Sequence, residues 1–491
     1  MKMKSLAAAI ALTIVPVSTV FAAALDRSGQ SVAAFLQPGN YAEIGISSLQ
    51  PTVDGKDTSG NPVNDMADTY NFWNAALKVQ PTDYFSFGLL YDEPFGAAAT
   101  YKGNNNFVAQ PNQAFATSTF GPNAPLNSTL GISGSTHVDV DTRNITSLFG
   151  FKPMTNFTLY GGLVYQEVEG KVNLRGASYG PLSGYDINID EDSAFGWIAG
   201  AAYEVPEIAL KASITYRSDI EHEGSSRETL PLGNAARGIV SGINQSLTDA
   251  GVNPSQLGAT LTAITNGLNS VNAGLAQVNT ALQANPGNTT LLGQQAQLTA
   301  QQAQLTAQQT RLATAQGALT SLAAPSALPA TADTRTKVTT PQSVNLDFQT
   351  GIMANTVAFA NVRWVEWSEF SVQPPLFATA TSGLNLVDYT DDQWSANVGV
   401  GRKVNDQWAG NVSVGWDSGA GNPVTTLGPT EGYWNVGLGV RYSPTPKVEL
   451  SGGVKYFWLG DADAKISSGT IVGDFEGNHA LAYGLKLGYR F

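Results

Sequence analysis

Residues able to do covalent chemistry are scarce in this sequence. It has three histidines (His137, His222 and His479) and no cysteine. A hydrolase needs a nucleophile, a base and an orienting group within reach, so the chain reads as no enzyme. Missing thiols exclude disulfides and thiolate metal sites. Asp186, Asn188, Asp190 and Asp192 are spaced like calcium ligands. They lack the glycine of an EF-hand loop, however, and a solvated loop cluster is the competing reading. No cofactor is implied. What remains is binding chemistry. Leu89, Phe95, Phe107, Phe115 and Phe120 lie in or beside the long segment after Tyr91, where they offer apolar surface to a ligand or pack loops together. Arg143, Arg217, Arg363 and Lys455 could each meet a carboxylate, or balance Asp139, Asp141 or Glu449.

The elements that would position these residues are strands. In 481–491, Leu481, Tyr483, Leu485, Leu487, Tyr489 and Phe491 alternate with Ala482, Gly484, Lys486, Gly488 and Arg490. Successive side chains of a strand leave opposite faces, so one face is apolar and the other small or cationic. Similar runs recur from Tyr41 onward. Residues 71–80 and 83–91 are joined by Pro81-Thr82-Asp83. Residues 136–151 place Val138 and Val140 on an expected outward face, with Asp139, Asp141 and Arg143 on the other. Short turns such as Val404-Asn405-Asp406-Gln407 alternate with long loops such as 417–432. Trp73, Trp394, Trp408, Trp434, Tyr442 and Trp458 fall at strand ends, where rings can sit at lipid headgroups. About fourteen strands are expected, an all-β transmembrane antiparallel barrel.

Composition agrees with this. Charged residues make up 13% of the 491, glycine numbers 51 and the net charge is −13. Mean hydropathy is −0.08, as expected when half of each strand faces a lumen. The negative balance argues against nucleic acid as a partner. Residues 1–22 have the cationic start, short apolar run and small cleavage residues of an export signal. Residues 23–39 follow as a disordered lead-in or a small lumen plug. Strands 1–7 are expected in 40–223 and strands 8–14 in 335–491.

Residues 224–334 break the strand pattern. Leu257, Leu261, Ile264, Leu268, Val271, Leu275, Val278 and Leu282 keep 4-3 spacing, the seam of a coiled coil. Asn285-Pro286-Gly287-Asn288 stops that helix. Leu291, Leu298, Leu305, Leu312 and Leu319 then recur every seven residues, and a weaker helix is expected over 234–250. An antiparallel helical hairpin follows, on the long-loop, extracellular side. Its role could be that of a spacer, an adhesive surface or a shield for the loops.

Several stretches resemble the FadL family of outer-membrane transporters for long-chain fatty acids and aromatic hydrocarbons. They are Thr215-Tyr216-Arg217-Ser218, Trp364-Val365-Glu366-Trp367-Ser368-Glu369-Phe370, Asp392-Gln393-Trp394-Ser395, Tyr433-Trp434-Asn435 and the closing strand. The resemblance implies that 23–39 enters the lumen as a hatch, although the Asn-Pro-Ala turn of the fatty-acid type is absent. It implies a monomer in the outer membrane, touching lipid and lipopolysaccharide. Hydrophobic small molecules would be captured outside, enter a plugged lumen and leave sideways into the bilayer. Gly96 is the candidate for a strand kink beside the hatch. A water-filled porin, or an adhesin acting through the helical insertion, are the competing functions.

Overall fold

The computed structural model describes residues 26–491. The expected export signal and the first three residues of the lead-in lie outside the described residues. Two compact units are present. One is built by the chain up to Thr229 and again from Thr331, the other by residues Leu230–Ala330.

The first unit is a closed barrel of fourteen staves. In order they are β1 (Tyr41–Thr52), β2 (Tyr70–Val79), β3 (Phe85–Asp92, resumed at Gly96–Thr100), β4 (His137–Met154) and β5 (Phe157–Asn173). Next come β6 (Asp186–Val205), β7 (Leu210–Arg217, resumed at Ile220–Thr229), β8 (Thr331–Thr340, resumed at Ser343–Met353) and β9 (Thr356–Val365). The ring ends with β10 (Gln393–Lys403), β11 (Trp408–Asp417), β12 (Tyr433–Thr445), β13 (Val448–Leu459) and β14 (His479–Arg490). Each stave pairs antiparallel with the next. Tyr41 of β1 pairs with Arg490 of β14 and closes the wall. Closure leaves no stave without a neighbour on either side, which is what a strand structure in hydrocarbon requires.

Alternation along the staves creates the outer surface. On β14, Leu481, Tyr483, Leu485, Leu487 and Tyr489 are exposed, while Ala480 and Ala482 are buried. Trp73, Trp394, Trp434 and Trp458 lie on the same outer face, each half exposed. An outward apolar band of this kind is the surface of a barrel that spans a membrane.

On β4 the expected facing is reversed. Val138 and Thr142 point inward and are buried, with Asn144, Thr146 and Leu148 on the same side. Asp139, Arg143, Ile145, Phe149 and Phe151 point outward. Parity is constant along the strand, so only the surroundings change. Near the short turns the outside is lipid and takes Phe149. Near the long loops the outside is water and takes Arg143, which leaves the apolar residues to line the interior. The same inversion extends the wall at β7 and β8, where the strands run on to Thr229 and resume at Thr331. The helical insertion is therefore shorter than the break in alternation suggests.

Above the staves the loops fold into a five-stranded sheet of Gly55–Asp57, Pro62–Val63, Val424–Thr425, Ala462–Lys465 and Ile471–Phe475. Burial of Asp57 works against its charge. Hydrogen bonds from Asn61, Asn106 and Ser59 outweigh that and hold its carboxyl below the usual range. Two short helices, α1 (Thr117–Phe120) and α5 (Pro375–Thr381), belong to the same crown.

The second unit consists of α2 (Leu232–Asp249), α3 (Leu257–Ala284) and α4 (Thr289–Ala327). Leu247, Val252, Leu257, Ile264, Leu268 and Leu312 form its core. Gln295, Gln302 and Gln309 of α4 donate to Asn279, Asn272 and Thr265 of α3 at 2.7, 2.7 and 2.9 Å. Both sets of positions step by seven residues, so one register is repeated down the hairpin. The Asn288 side chain caps α4 by accepting from Thr290 N and Leu291 N. Leu230 N bonds Ala330 O at 2.9 Å, so the unit begins and ends at one point.

Candidate functional site

Residues 26–39 fold inside the barrel as a hatch. Gly29 and Gln30 both have positive φ, which turns the chain sharply. Beyond the turn, Val32, Phe35 and Leu36 enter an apolar cluster with Leu90, Leu148, Tyr160, Val164 and Ile198 of the wall. Phe35 meets Tyr160 edge-on at 5.9 Å. A Cβ on Gly88 would come within 2.4 Å of the Phe35 ring, so the wall is glycine where the hatch presses closest.

Polar bolts complete the seal. Asp26 pairs with Arg363 at 2.7 Å, both side chains 3% exposed. Arg363 also donates to Asn345 Oδ1 at 2.7 Å and to Gln30 Oε1 at 3.0 Å. Arg217 donates to the Gln30 carbonyl at 3.1 Å and to Thr146 Oγ1 at 3.3 Å. Lys211 and Lys78 donate to the Leu36 and Gln37 carbonyls. Arg217 and Arg363, candidate carboxylate ligands in the sequence, are thus spent on the hatch. Removing one partner of such a buried pair costs about 3–5 kcal/mol.

Beside the hatch, β3 is broken. The ladder between β2 and β3 stops at Ala75 and Tyr91, and Glu93, Pro94 and Phe95 leave the sheet. Pro94 has no N–H for a ladder. Its carbonyl instead accepts from Arg27 N and Ser28 N of the hatch. Residues 70–74 of β2 therefore have no ladder partner in β3. The Arg27 guanidinium lies here, 4.3 Å over the Tyr70 ring and 2.8 Å from Asp141. A Cβ on Gly96 would sit 2.1 Å from Arg27 Cζ. The strand breaks one residue before Gly96, and the glycine's part is to admit the arginine.

Directly beyond Asp26 and Arg27 opens a cavity with about 1360 Å³ of empty space between its lining atoms. Val138, Val140, Val168, Val172, Ile187 and Ile189 line one side, contributed by the upper parts of β4–β6. The other side is aromatic. Trp367, fully buried, meets Phe95, Phe370 and Tyr389 at 5.6, 5.2 and 5.3 Å, all edge-on. Val372, Leu386 and Val387, in the loop around α5, close the cavity from above. That loop is held by Glu228, a fully buried carboxylate of β7. It accepts from Leu376 N, Phe377 N, Tyr185 Oη and Thr334 Oγ1 at 2.8–3.0 Å.

Of the apolar candidates, Phe95 lines this cavity. Phe107 packs instead among Tyr101 and Tyr179 of the crown, and Phe115 pairs with Phe120 at 5.9 Å. Leu89 faces outward, half exposed. Arg143 also faces outward, in a cluster with Glu169 and Glu191 at 3.0 and 3.2 Å. The spaced acids of β6 do not converge. Asp186 bonds Arg175 and Asp192 approaches His222, and among the described residues no group of three or more acidic or His side chains could hold a metal. Reasoning from sequence missed Glu228 and Asp26, whose partners lie far along the chain.

No protein-family model matches the sequence, and no curated protein matches it. Solved structures do. A FadL homologue of Pseudomonas aeruginosa superposes with a TM-score of 0.58 at 16% identity, over 94% of this chain and 92% of that one. The two share a fold. The toluene transporter TodX of Pseudomonas putida has a TM-score of 0.54 at 10% identity, covering 93% and 91%. The Ralstonia pickettii toluene transporter TbuX has 0.50 at 10% identity, covering 97% and 98%. The barrel shares its architecture with those structures over nearly their whole length.

Proposed function

We propose that this chain is an outer-membrane channel for passive uptake of hydrophobic compounds, working as a monomer. The observation that carries the reading is the apolar cavity seated on a bolted hatch, beside a break in the wall. An apolar solute gains about 25 cal/mol for each Å² it withdraws from water. The cavity supplies that gain without supplying a through-path, because the hatch fills the lumen below it. The gap in the β2–β3 ladder offers a sideways exit toward lipid, with Arg27 as the side chain standing in it. The outward apolar band meets the bilayer, and the charged outer rows of β4–β8 meet the lipopolysaccharide layer.

Of the cations lining the cavity, Arg27 is committed to Asp141 and Lys171 lies exposed on the outer face of β5, while Arg363 beneath is committed to Asp26. A carboxylate entering there would have to displace an existing partner, so the lining favours a neutral hydrocarbon over a free fatty acid. TodX and TbuX, both toluene transporters, have the same fold. Hydrophobic uptake does not require catalysis, and no enzymatic step is proposed.

The test is equilibrium binding of radiolabelled toluene and oleate to the purified protein, beside an Ala99→Trp variant. Ala99 is buried and lines the cavity, so the indole would project into the space a ligand needs. Saturable toluene binding, lost in Ala99→Trp, is the expected result. Equal binding by both proteins would remove the cavity from the account.

A further inference from the structure

Beneath the hatch lies a second chamber, with about 1620 Å³ of empty space between its lining atoms. Its charged lining is Glu43, Asp92, Asp347, Lys211, Lys455 and Lys486. Five of these six are engaged. Glu43 pairs with Lys486 at 3.1 Å. Asp92 accepts from Ser28 Oγ at 2.6 Å, and Asp347 from Asn361 Nδ2 at 2.8 Å. Lys211 pairs with Glu204 at 3.2 Å.

Lys455 is different. It is 9% exposed, yet its ammonium has no hydrogen-bond or ion-pair partner among the described residues. Glu449, the acid on the same stave that could have balanced it, is taken by Arg490 at 3.0 Å and by Tyr41 Oη at 2.8 Å. Space around Lys455 is kept clear, since its ladder neighbours are Gly437 on β12 and Ala482 on β14. Asn397 of β10 lines the same chamber, and its buried Oδ1 has no hydrogen-bond partner among the described residues.

We propose that Lys455 is the centre of an oxyanion site in this lower chamber, with the Asn397 amide as a second donor. A buried ammonium left alone is expensive, and a carboxylate or phosphate oxygen is the partner that suits its three donors. Charge-assisted bonds of this kind are short and strong. The oxyanion could be free, such as inorganic phosphate, or the head of an amphiphile. The hatch separates this site from the apolar cavity, so the two chambers select opposite chemistries.

Isothermal titration calorimetry on the purified full chain in detergent tests this, with inorganic phosphate, acetate and decanoate as probes. Wild-type protein is expected to bind at one site. Lys455→Met should weaken binding about tenfold or more, as for loss of a hydrogen bond to a charged group. Lys455→Arg should retain it. Binding of phosphate and acetate would mark a free-anion site, whereas binding of decanoate alone would mark an amphiphile head. Heat-modifiable migration on a gel reports barrel folding for each variant. If Lys455→Met does not fold, Asn397→Ala takes its place, with a smaller loss expected. Toluene binding, read in the same samples, should be unchanged by Lys455→Met. Equal anion affinity in the wild type and the variant, or no anion bound by the wild type, would overturn the proposal while leaving the hydrocarbon reading standing.

Discussion

The two chambers of this barrel share their staves but not their chemistry. Above the hatch, β4–β6 turn Val138, Val168 and Ile187 inward and Asp139, Glu169 and Asn188 outward. Below it, the wall turns Asn397, Lys455 and Lys486 inward and Val398, Tyr456 and Leu485 outward. A pleat permits either arrangement, because alternation fixes only that neighbours differ. The outside decides. Where lipid surrounds the wall, apolar side chains are spent on the exterior and the lumen is polar. Where water surrounds it, they are free to line a cavity. An apolar binding site in such a barrel therefore belongs above the membrane band, and the hatch is the floor that keeps it from draining into the polar lumen.

The largest change expected is loss of that floor. Asp26→Ala leaves Arg363 buried without its partner, a cost of about 3–5 kcal/mol. Hydrogen exchange at the hatch amides should quicken by roughly two orders of magnitude or more, and cells should begin to leak a small sugar. Unchanged protection would show that Phe35 and its cluster hold the hatch without the ion pair.

Gly96→Val probes the boundary between the chambers. The new side chain would overlap the Arg27 guanidinium, and overpacking of that kind costs about 1–3 kcal/mol. Hydrocarbon uptake should fall about tenfold while the barrel still folds; wild-type uptake would separate the arginine from transport. Glu228→Gln should act more mildly, on the roof of the upper cavity alone. All four partners of Glu228 are donors, so an isosteric amide must present N–H groups to some of them. A loss of about 1–3 kcal/mol is expected, read as faster toluene dissociation with lower-chamber binding untouched.

The smallest effect should come from the largest excision. Thr229 and Thr331 face each other in the ladder, so residues 230–330 can be replaced by an Asn-Gly hairpin turn. Uptake should stay within about twofold of wild type, in line with surface changes remote from the site. A collapse of uptake would move the function toward the helical unit.

Much of this was legible from sequence. Period-2 alternation and the contrast between short turns and long loops marked fourteen staves, and the leucine spacing marked the hairpin. The facing of β4 was not, because nothing in the order Val138-Asp139-Val140-Asp141 shows where lipid ends. Arg143 was placed inside for the same reason. Arg217 and Arg363 stand out in the sequence as cations able to meet a carboxylate, but their partners Gln30 and Asp26 lie 187 and 337 residues away. Pairing across such separations follows from barrel closure and leaves no local pattern. Phe95 could be picked out beside Tyr91, whereas Phe107, Phe115 and Phe120 have the same composition and pack the crown instead.

The most direct test of a hatched hydrophobic channel is paired uptake in cells lacking their own outer-membrane transporters. Labelled toluene and a labelled small sugar would be followed with and without this chain. Entry of toluene with no gain for the sugar is the result expected of an apolar cavity above a closed lumen. Entry of the sugar at a comparable rate would mean an open, water-filled pore and would contradict the account.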